Sequence, residues 1–287
     1  MTPQTQLFQE DAAVAESSPV ARPIDPEARP EPSAANFDRL VSVYRWMEWA
    51  SFGPWLWWCR CAFLSESGER RRALIFGDGD GRFTARLLQV NQAIRVDAID
   101  SSPAMLRSLL RSAGSAHARV NARAMDARMW RPWSTEPHSS GARGYDLVVS
   151  HFFLDCLTTE QVGSLAATVR SAVEPGAVWV VSEFAVPQGR FGRWIARPLV
   201  GMLYSAFRWL TGLKVRDLPD HRSALNGAGF SLLKTHSWLR GLLVSELWRA
   251  ADNAVGDSED HEKAGSLSDL QPVSHCSNPA DSMLQTC

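Results

Sequence analysis

Short apolar runs alternate with stretches of helical periodicity through the middle of the chain. The apolar runs have strand length, and most are rich in Val, Ile, Leu and Ala. They predict seven strands at 73–76, 95–99, 118–124, 145–150, 177–184, 230–235 and 242–248. Apolar residues spaced three and four apart predict helices at 37–50, 55–64, 82–89, 103–112, 159–173 and 221–227.

Strands that alternate with helices predict an α/β fold. We expect a doubly wound, mostly parallel seven-stranded sheet with helices on both faces. The N-terminal helices within 36–70 and a mainly helical insertion at 190–213 lie outside this alternation, and we expect them to form a helical cap. Ligands of such sheets bind beyond the carboxyl ends of the strands, so the chemistry is expected there.

The formal net charge of −1 averages three unlike regions. Residues 1–35 hold two basic and six acidic side chains, and residues 251–287 hold one and seven. Both regions combine acidity with low hydrophobicity, which predicts disordered acidic tails. Residues 36–250 hold 27 basic and 18 acidic side chains and all twelve Trp, and they predict a single folded domain.

A glycine-rich turn follows the first predicted strand. Its sequence is Gly77-Asp78-Gly79-Asp80-Gly81, and a predicted helix begins at once after it. Glycines let a backbone turn tightly and approach a ligand, and a helix N-terminus offers free N–H groups. Arg82 stands where the dinucleotide-binding pattern has its last Gly, which argues against a nicotinamide cofactor. Asp100 ends the second strand 21 residues after Gly79, a place suited to binding ribose hydroxyls.

These segments resemble the motifs of class I S-adenosylmethionine-dependent methyltransferases. Residues 74–81 are similar to the first motif of that superfamily, and residues 98–106 to the second, with its ribose-binding acid. Residues 125–127 resemble the segment that contacts the adenine edge, and residues 145–150 the fourth-strand motif. The resemblance implies a Rossmann-like methyltransferase fold and S-adenosylmethionine as cofactor.

A finer resemblance points to the C-methyltransferases of ubiquinone and menaquinone biosynthesis. Residues 37–39 with Tyr44 resemble their N-terminal helix, and residues 182–187 resemble their fifth-strand segment. This likeness implies a small, lipophilic or aromatic acceptor such as a quinone precursor. The cofactor-binding residues that the superfamily resemblance implies are Gly77, Asp78, Gly79, Asp80, Gly81, Asp100, Ser101, Met105, Asp126, Ala127, Ser150 and His151.

Two residues after the fourth strand are candidates for catalysis. His151 is the predicted general base, and a structural histidine is the alternative. Asp155 could orient His151 if residues 151–155 are helical, and a capping role is the alternative. Tyr44 and Glu183 are predicted to contact the substrate, although a core aromatic and a cap are equally open for them. The scattered Cys residues predict no metal site.

One departure from the superfamily pattern keeps other functions open. The acid that usually precedes the first Gly by two residues is replaced by Ile75, so a non-catalytic S-adenosylmethionine-binding protein is an alternative. Asp78 or Asp80 could supply the missing polar contact instead. An RNA methyltransferase is a further alternative, suggested by the basic domain. We regard nucleic acid as the weaker expectation, because residues 150–153 read Ser-His-Phe-Phe and no RNA-binding module is recognised.

Seven of the twelve Trp fall in the two segments expected to form the cap. They could simply pack the cap on the core. Alternatively, they line a hydrophobic substrate pocket. The basic residues at the rim of that pocket would then make peripheral contact with an anionic membrane. We recognise no signal peptide and no spanning helix, and we expect a cytoplasmic protein.

Overall fold

The computed structural model describes residues 52–132, 144–202 and 218–252, all of which belong to one compact unit. Its strands are β1 (Arg72–Phe76), β2 (Arg95–Asp100), β3 (Val120–Ala124), β4 (Tyr145–His151), β5 (Val173–Phe184), β6 (Phe230–Trp238) and β7 (Leu243–Ala250). Its α-helices are α1 (Trp55–Cys61), α2 (Arg82–Val90), α3 (Pro103–Ala113), α4 (Thr159–Arg170) and α5 (His221–Gly227). Short 3-10 turns lie at Leu64–Ser67, Gly114–Arg119, Ala127–Met129, Leu154–Cys156 and Leu239–Gly241.

The seven strands form one sheet in the order β3-β2-β1-β4-β5-β7-β6. The pairs from β3 through β5 are parallel, and β7 is antiparallel to both β5 and β6. The order reverses between β1 and β4, and this switch point is where ligands of open α/β sheets bind. The predicted fold class is confirmed.

Alternating side chains divide the core between the two faces of the sheet. Along β1, Ala73 and Ile75 belong to a cluster with α2 and α3, whereas Leu74 and Phe76 belong to a cluster with α4 and α5. Both faces of β1 are therefore covered by apolar side chains. This explains why β1 reads as an uninterrupted apolar run rather than as an alternating strand.

Several element boundaries differ from the sequence prediction, and two of these differences have a clear local reason. The strand predicted at 177–184 begins instead at Val173, so residues 174–176 lie inside β5, where the register with β4 shifts between Tyr145 and Leu147. The irregularity accommodates Pro175 and Gly176 within the strand. β3 begins at Val120 rather than at 118, because the residues before it form a 3-10 turn.

The described part of the expected cap insertion, 190–202, is helical and contains a π-helical turn at Gly192–Ala196. A Cβ on Gly192 would collide with the carbonyl oxygen of Pro187, so glycine is required for this close approach. Ala196 and Val200 pack with Phe52, Leu56 and Cys59 in a third apolar cluster. The rest of the insertion, the predicted helix 37–50, the tail 1–35 and residues 253–287 lie outside the described residues.

Candidate functional site

The predicted glycine turn connects β1 to α2. Gly77, Gly79 and Gly81 all have positive φ values, of 65°, 64° and 80°. A Cβ on Gly77 would lie 2.6 Å from the Phe153 ring, and one on Gly81 would lie 2.7 Å from Leu109 Cβ. A Cβ on Gly79 would meet nothing within 4 Å. Gly77 and Gly81 therefore serve packing, while Gly79 leaves a bare backbone beside open space.

The two acids of the turn have different surroundings. Asp78 is buried, and its Oδ2 accepts hydrogen bonds from the Thr84 amide (2.9 Å) and hydroxyl (2.6 Å). Its Oδ1 is buried with no hydrogen-bond partner among the described residues, and burial raises the pKa of this carboxyl to about 6. Asp80 is paired with Arg82 at 2.8 Å. Asp78 rather than Asp80 therefore has a carboxylate oxygen left for a ligand.

Asp100 lies at the carboxyl end of β2, as expected. Its Oδ1 accepts the Ser102 amide at 2.8 Å, and burial raises its pKa to about 6. Ser102 caps α3 by accepting the Met105 amide, with Pro103 in the first helical position. Ser101 is exposed and Met105 is half-buried. These residues follow the turn between β2 and α3, next to the β1 glycine turn.

The predicted adenine-contacting segment follows β3. Asp126 caps a 3-10 turn that begins at the buried Ala127. Both carboxylate oxygens of Asp126 accept hydrogen bonds from the Arg128 guanidinium, and this contact holds the pKa of Asp126 below its usual range. A ligand that used the Asp126 carboxylate would have to share it with Arg128.

Ser150 and His151 end β4 and point to opposite faces of the sheet. Ser150 accepts a hydrogen bond from the buried Trp179 indole at 3.0 Å. His151 is 2% exposed, and its Nδ1 lies 3.0 Å from Ser182 Oγ. The His151 ring also packs edge-on against Phe83, with ring centroids 4.5 Å apart.

The hydrogen-bond partners of Ser182 favour one tautomer of His151. The single Ser182 hydroxyl proton is donated to the Cys59 carbonyl oxygen, and the Ser245 hydroxyl lies 3.0 Å from Ser182 Oγ. With its proton on that carbonyl, Ser182 Oγ accepts a hydrogen bond from His151 Nδ1. This leaves the lone pair on His151 Nε2, which is buried without a hydrogen-bond partner among the described residues. Burial, with the nearby Arg60 cation, lowers the pKa of His151 well below its usual value, so the ring is neutral.

The expected His151–Asp155 pair is wrong in its geometry. Residues 151–155 do not form a helix, because Phe152 has a φ of 52° and a 3-10 turn follows at Leu154–Cys156. Ser182 rather than Asp155 is the partner of His151 Nδ1. Asp155 is instead buried close to Glu183, the acid near the end of β5.

Glu183 is 3% exposed, and its Oε1 accepts the amides of Phe153 (3.2 Å) and Leu154 (2.9 Å). It thereby holds the loop after β4. Its Oε2 has no hydrogen-bond partner among the described residues. Burial, and then the charge of Asp155, raise the pKa of Glu183 well above its usual value.

Sequence reasoning missed Arg60, a 5% exposed cation in α1. Its charge influences both Asp78 and His151, so it lies beside the glycine turn and the end of β4. The guanidinium carbon also lies 5.5 Å from the centre of the Phe152 ring. A single Arg within a Trp-rich helix carries no motif, and only burial identifies it.

Sequence reasoning also missed a cluster around Glu246 of β7. Glu246 is 1% exposed and accepts hydrogen bonds from His221 Nε2 (3.1 Å), Arg222 Nε (2.6 Å) and the Trp248 indole (2.9 Å). A cavity of about 250 Å³ lies between this cluster and Glu183. The pairing of β5 with β7 brings these residues together, and no spacing along the chain predicts it.

Several expectations concern the aromatic cap and other partners. Trp55 and Trp58 pack edge to face at 4.9 Å, and Trp194 is 72% exposed. Tyr44 and the remaining cap Trp at 46, 49 and 209 lie outside the described residues.

Among the described residues, no cluster of His, Cys, Asp or Glu could hold a metal ion. No helix in the described ranges is long and apolar enough to cross a membrane.

Comparisons with known proteins agree with this geometry. The family model described as a methyltransferase domain matches residues 74–179, from β1 into β5. An O-methyltransferase family protein from Burkholderia thailandensis is 13% identical, with a TM-score of 0.54 over 77% of this chain and 62% of that one. The chain has the fold of the class I methyltransferases. With the family match, this fold supports an S-adenosylmethionine-dependent methyltransferase.

Two other solved structures are similar to this chain, with comparable sequence identities and TM-scores. The pyocyanin biosynthetic protein PhzM is 16% identical, with a TM-score of 0.50 over 69% of this chain and 56% of that one. The mitomycin 7-O-methyltransferase MmcR is 15% identical, with a TM-score of 0.49 over 66% and 54%. The chain thus spans little more than half the length of these two proteins. No curated protein matches the chain. At 16% identity, the likeness to PhzM shows the fold alone and leaves the acceptor open.

Proposed function

We propose that this chain transfers a methyl group from S-adenosylmethionine to a small lipophilic or aromatic acceptor. The observation that carries the proposal is the site at the ends of β1 and β2. There, the open backbone of Gly79 and the orphaned Oδ1 of Asp78 lie at the turn after β1, and Asp100 ends the neighbouring strand.

The residues present fit that cofactor. Asp78 Oδ1 is an unpaired buried acceptor, which suits a ligand ammonium group. Asp100 suits ribose hydroxyls, and Ser101, Met105, Asp126 and Ala127 would contact the adenosine part. Ile75 is 1% exposed within the core and cannot supply the polar contact that its position usually makes. We propose that Asp78 supplies this contact, which argues against a chain that has lost cofactor binding.

The cofactor supplies an activated methyl group, so the protein mainly aligns the acceptor with it. His151 offers a lone pair at Nε2, but its burial and Arg60 oppose an imidazolium there. We therefore propose that His151 accepts a hydrogen bond in its neutral form. If His151 instead accepted the proton of the reaction, the rate would fall as the pH drops below the lowered pKa of His151, and this fall would disappear in His151→Gln.

A quinone precursor is our specific candidate acceptor, on the strength of the sequence resemblance to the ubiquinone and menaquinone C-methyltransferases. Peripheral membrane contact remains a prediction that rests on the exposed Trp194 and the neighbouring exposed Arg190, Arg193 and Arg197. Sedimentation with anionic vesicles at low salt tests it, and a failure to pellet would remove it.

Calorimetric titration with S-adenosylhomocysteine tests the core of the proposal. We expect saturable binding to the wild type and at least tenfold weaker binding to Asp100→Ala. Asp146→Ala is the matched control, because Asp146 lies at the opposite end of the sheet, where it accepts the amides of Arg71 and Arg72. Absence of binding to the folded wild type would refute the proposal.

Turnover separates the alternatives. Labelled S-adenosylmethionine with a lipid extract should yield a labelled small molecule. Saturable binding without turnover on any extract would favour the non-catalytic alternative. Label in RNA, with retention on RNA that falls steeply with salt, would favour the RNA methyltransferase.

A further inference from the structure

The cavity beside β5 and β7 is separate from the residues proposed to hold the cofactor. It measures about 250 Å³, and its apolar wall includes Val181, Phe184 and Val244. Its polar wall is formed by Glu183 together with His221, Arg222 and Glu246. It lies on the face of the sheet that carries Glu183, at the carboxyl end of β5, and ligands of open α/β sheets bind at this end of the parallel strands.

The polar wall holds one group that lacks a partner. Both carboxylate oxygens of Glu246 already accept hydrogen bonds, from His221, Arg222 and Trp248. They therefore require no hydrogen-bond donor from a ligand. Arg222 is already engaged by Glu246, with an Nη2–Oε1 distance of 2.6 Å. The Oε2 of Glu183 has no hydrogen-bond partner among the described residues.

The surroundings of Glu183 decide what Oε2 can offer. Its Oε1 receives the amides of Phe153 and Leu154 and must therefore act as an acceptor. Burial and the nearby Asp155 favour the neutral acid. When the acid is neutral, its proton resides on Oε2, where it can be donated to a ligand in the cavity.

We propose that this cavity binds the methyl acceptor, and that the acceptor is an uncharged small molecule with an apolar ring and a hydroxyl or carbonyl oxygen that accepts a hydrogen bond from Glu183. The claim that this molecule is the methyl acceptor rests on the proposed methyltransferase function. The claim that such a molecule binds in the cavity is independent of that function. An anionic acceptor is disfavoured, because the guanidinium of Arg222, the cationic side chain among the described residues of the wall, is already paired with Glu246.

The experiment uses phenol as a neutral probe, with toluene and benzoate as its counterparts. Amide chemical shifts of the full-length wild-type protein are followed by NMR during titration. We expect phenol to shift the Gly241 and Val244 amides and to bind about tenfold more tightly than toluene, a ratio that matches one hydrogen bond. Benzoate should bind more weakly than phenol.

Three variants locate the effect. Glu183→Gln keeps both an acceptor and a donor, and phenol affinity should stay within about threefold of wild type. Glu183→Leu removes the donor and should erase the preference for phenol over toluene. Val244→Phe fills the cavity from β7, opposite Glu183, while leaving the Glu183 carboxyl in place, and it should abolish the binding of both probes. Leu233→Phe, at an exposed site on β6, is the control, and it should leave the binding of phenol and of toluene unchanged.

Each outcome decides the matter. The inference is overturned if phenol leaves the Gly241 and Val244 amides unmoved, if benzoate binds more tightly than phenol, or if a folded Glu183→Leu keeps the phenol preference. Should Glu183→Leu fail to fold, Val244→Phe and the phenol-to-toluene ratio still test the site. Titration with S-adenosylhomocysteine runs in parallel. Phenol binding without cofactor binding would refute the methyltransferase proposal and leave the cavity assignment standing.

Discussion

Gly79 and Gly81 stand two residues apart in the same turn, yet the structure predicts opposite consequences for the same substitution. Alanine at either position must adopt a positive φ, at a cost of about 1–2 kcal/mol. At Gly81 the new Cβ also meets Leu109 at 2.7 Å, and overpacking adds about 1–3 kcal/mol. Gly81→Ala should therefore lower the free energy of unfolding by about 2–5 kcal/mol, and Gly79→Ala by about 1–2 kcal/mol.

Cofactor affinity should follow the reverse order. The Gly79 Cβ would project into open space on the ligand side, so Gly79→Ala should weaken S-adenosylhomocysteine binding at least tenfold. Gly81→Ala, where it folds, should bind more nearly as the wild type does. Urea denaturation and calorimetric titration measure the two quantities on the same preparations.

Gly189→Ala controls for backbone strain alone. Gly189 has a φ of 94° with nothing within 4 Å of its Cβ position, and it lies outside the glycine turn. The Gly189→Ala variant should lose about as much stability as Gly79→Ala and should bind S-adenosylhomocysteine with wild-type affinity. Equal destabilisation of Gly79→Ala and Gly81→Ala, or unchanged affinity in Gly79→Ala, would refute this division of the turn.

Three further outcomes follow from buried groups and close contacts. Burial raises the Asp78 pKa from 3.8 to about 6, so its stabilising contribution is lost as pH rises through that range. The free energy of unfolding of the wild type should fall by up to about 3 kcal/mol over this pH range, and Asp78→Asn should make that fall smaller. Urea denaturation at several pH values measures both. Ser150→Ala strands the Trp179 indole N–H and should cost about 1–3 kcal/mol in the same assay. Gly192→Ala should displace residues 190–202 and speed tryptic cleavage there, whereas Gly201→Ala, with open space around it, should not.

Specific results would contradict each of these. A wild-type stability that rises between about pH 4 and 6, while that of Asp78→Asn stays level, would contradict the raised pKa of Asp78. Asp100 acts in the same direction, since burial also raises its pKa to about 6. Ser150→Ala at wild-type stability would mean that Trp179 finds another acceptor. Equal cleavage of both glycine variants would show that the π-helical turn tolerates a side chain.

Local signals made most of the sheet predictable. β1 and β4 are short apolar runs buried on both faces, and Ser102 before Pro103 is a cap readable from two residues. The glycine turn is equally local, because its φ values and the start of α2 are both encoded within a few residues. Pro175 and Gly176 led the sequence prediction to start this strand at 177, since a β-bulge within a strand uses the same residue types as a turn before it.

The polar contacts of the site depend on strand pairing, which spacing along the chain does not reveal. Ser182 became the partner of His151 because β4 and β5 align these residues in register. Asp155 was expected in that role from an i, i+4 spacing, but the left-handed Phe152 breaks the helix that this spacing requires. Arg60 carries no motif at all, and its importance follows from burial next to Asp78 and His151.

Alternation along β5 separates the two groups most able to act on an acceptor. Ser182 lies on the face shared with His151 and Cys59, so the next residue, Glu183, faces the cavity on the other side. An acceptor in that cavity can contact Glu183 directly, while His151 lies behind the strand. Glu183→Leu should therefore raise the acceptor KM with little change in cofactor affinity. Loss of cofactor affinity in Glu183→Leu, with Phe153 and Leu154 still ordered by NMR, would mean that both faces serve one ligand.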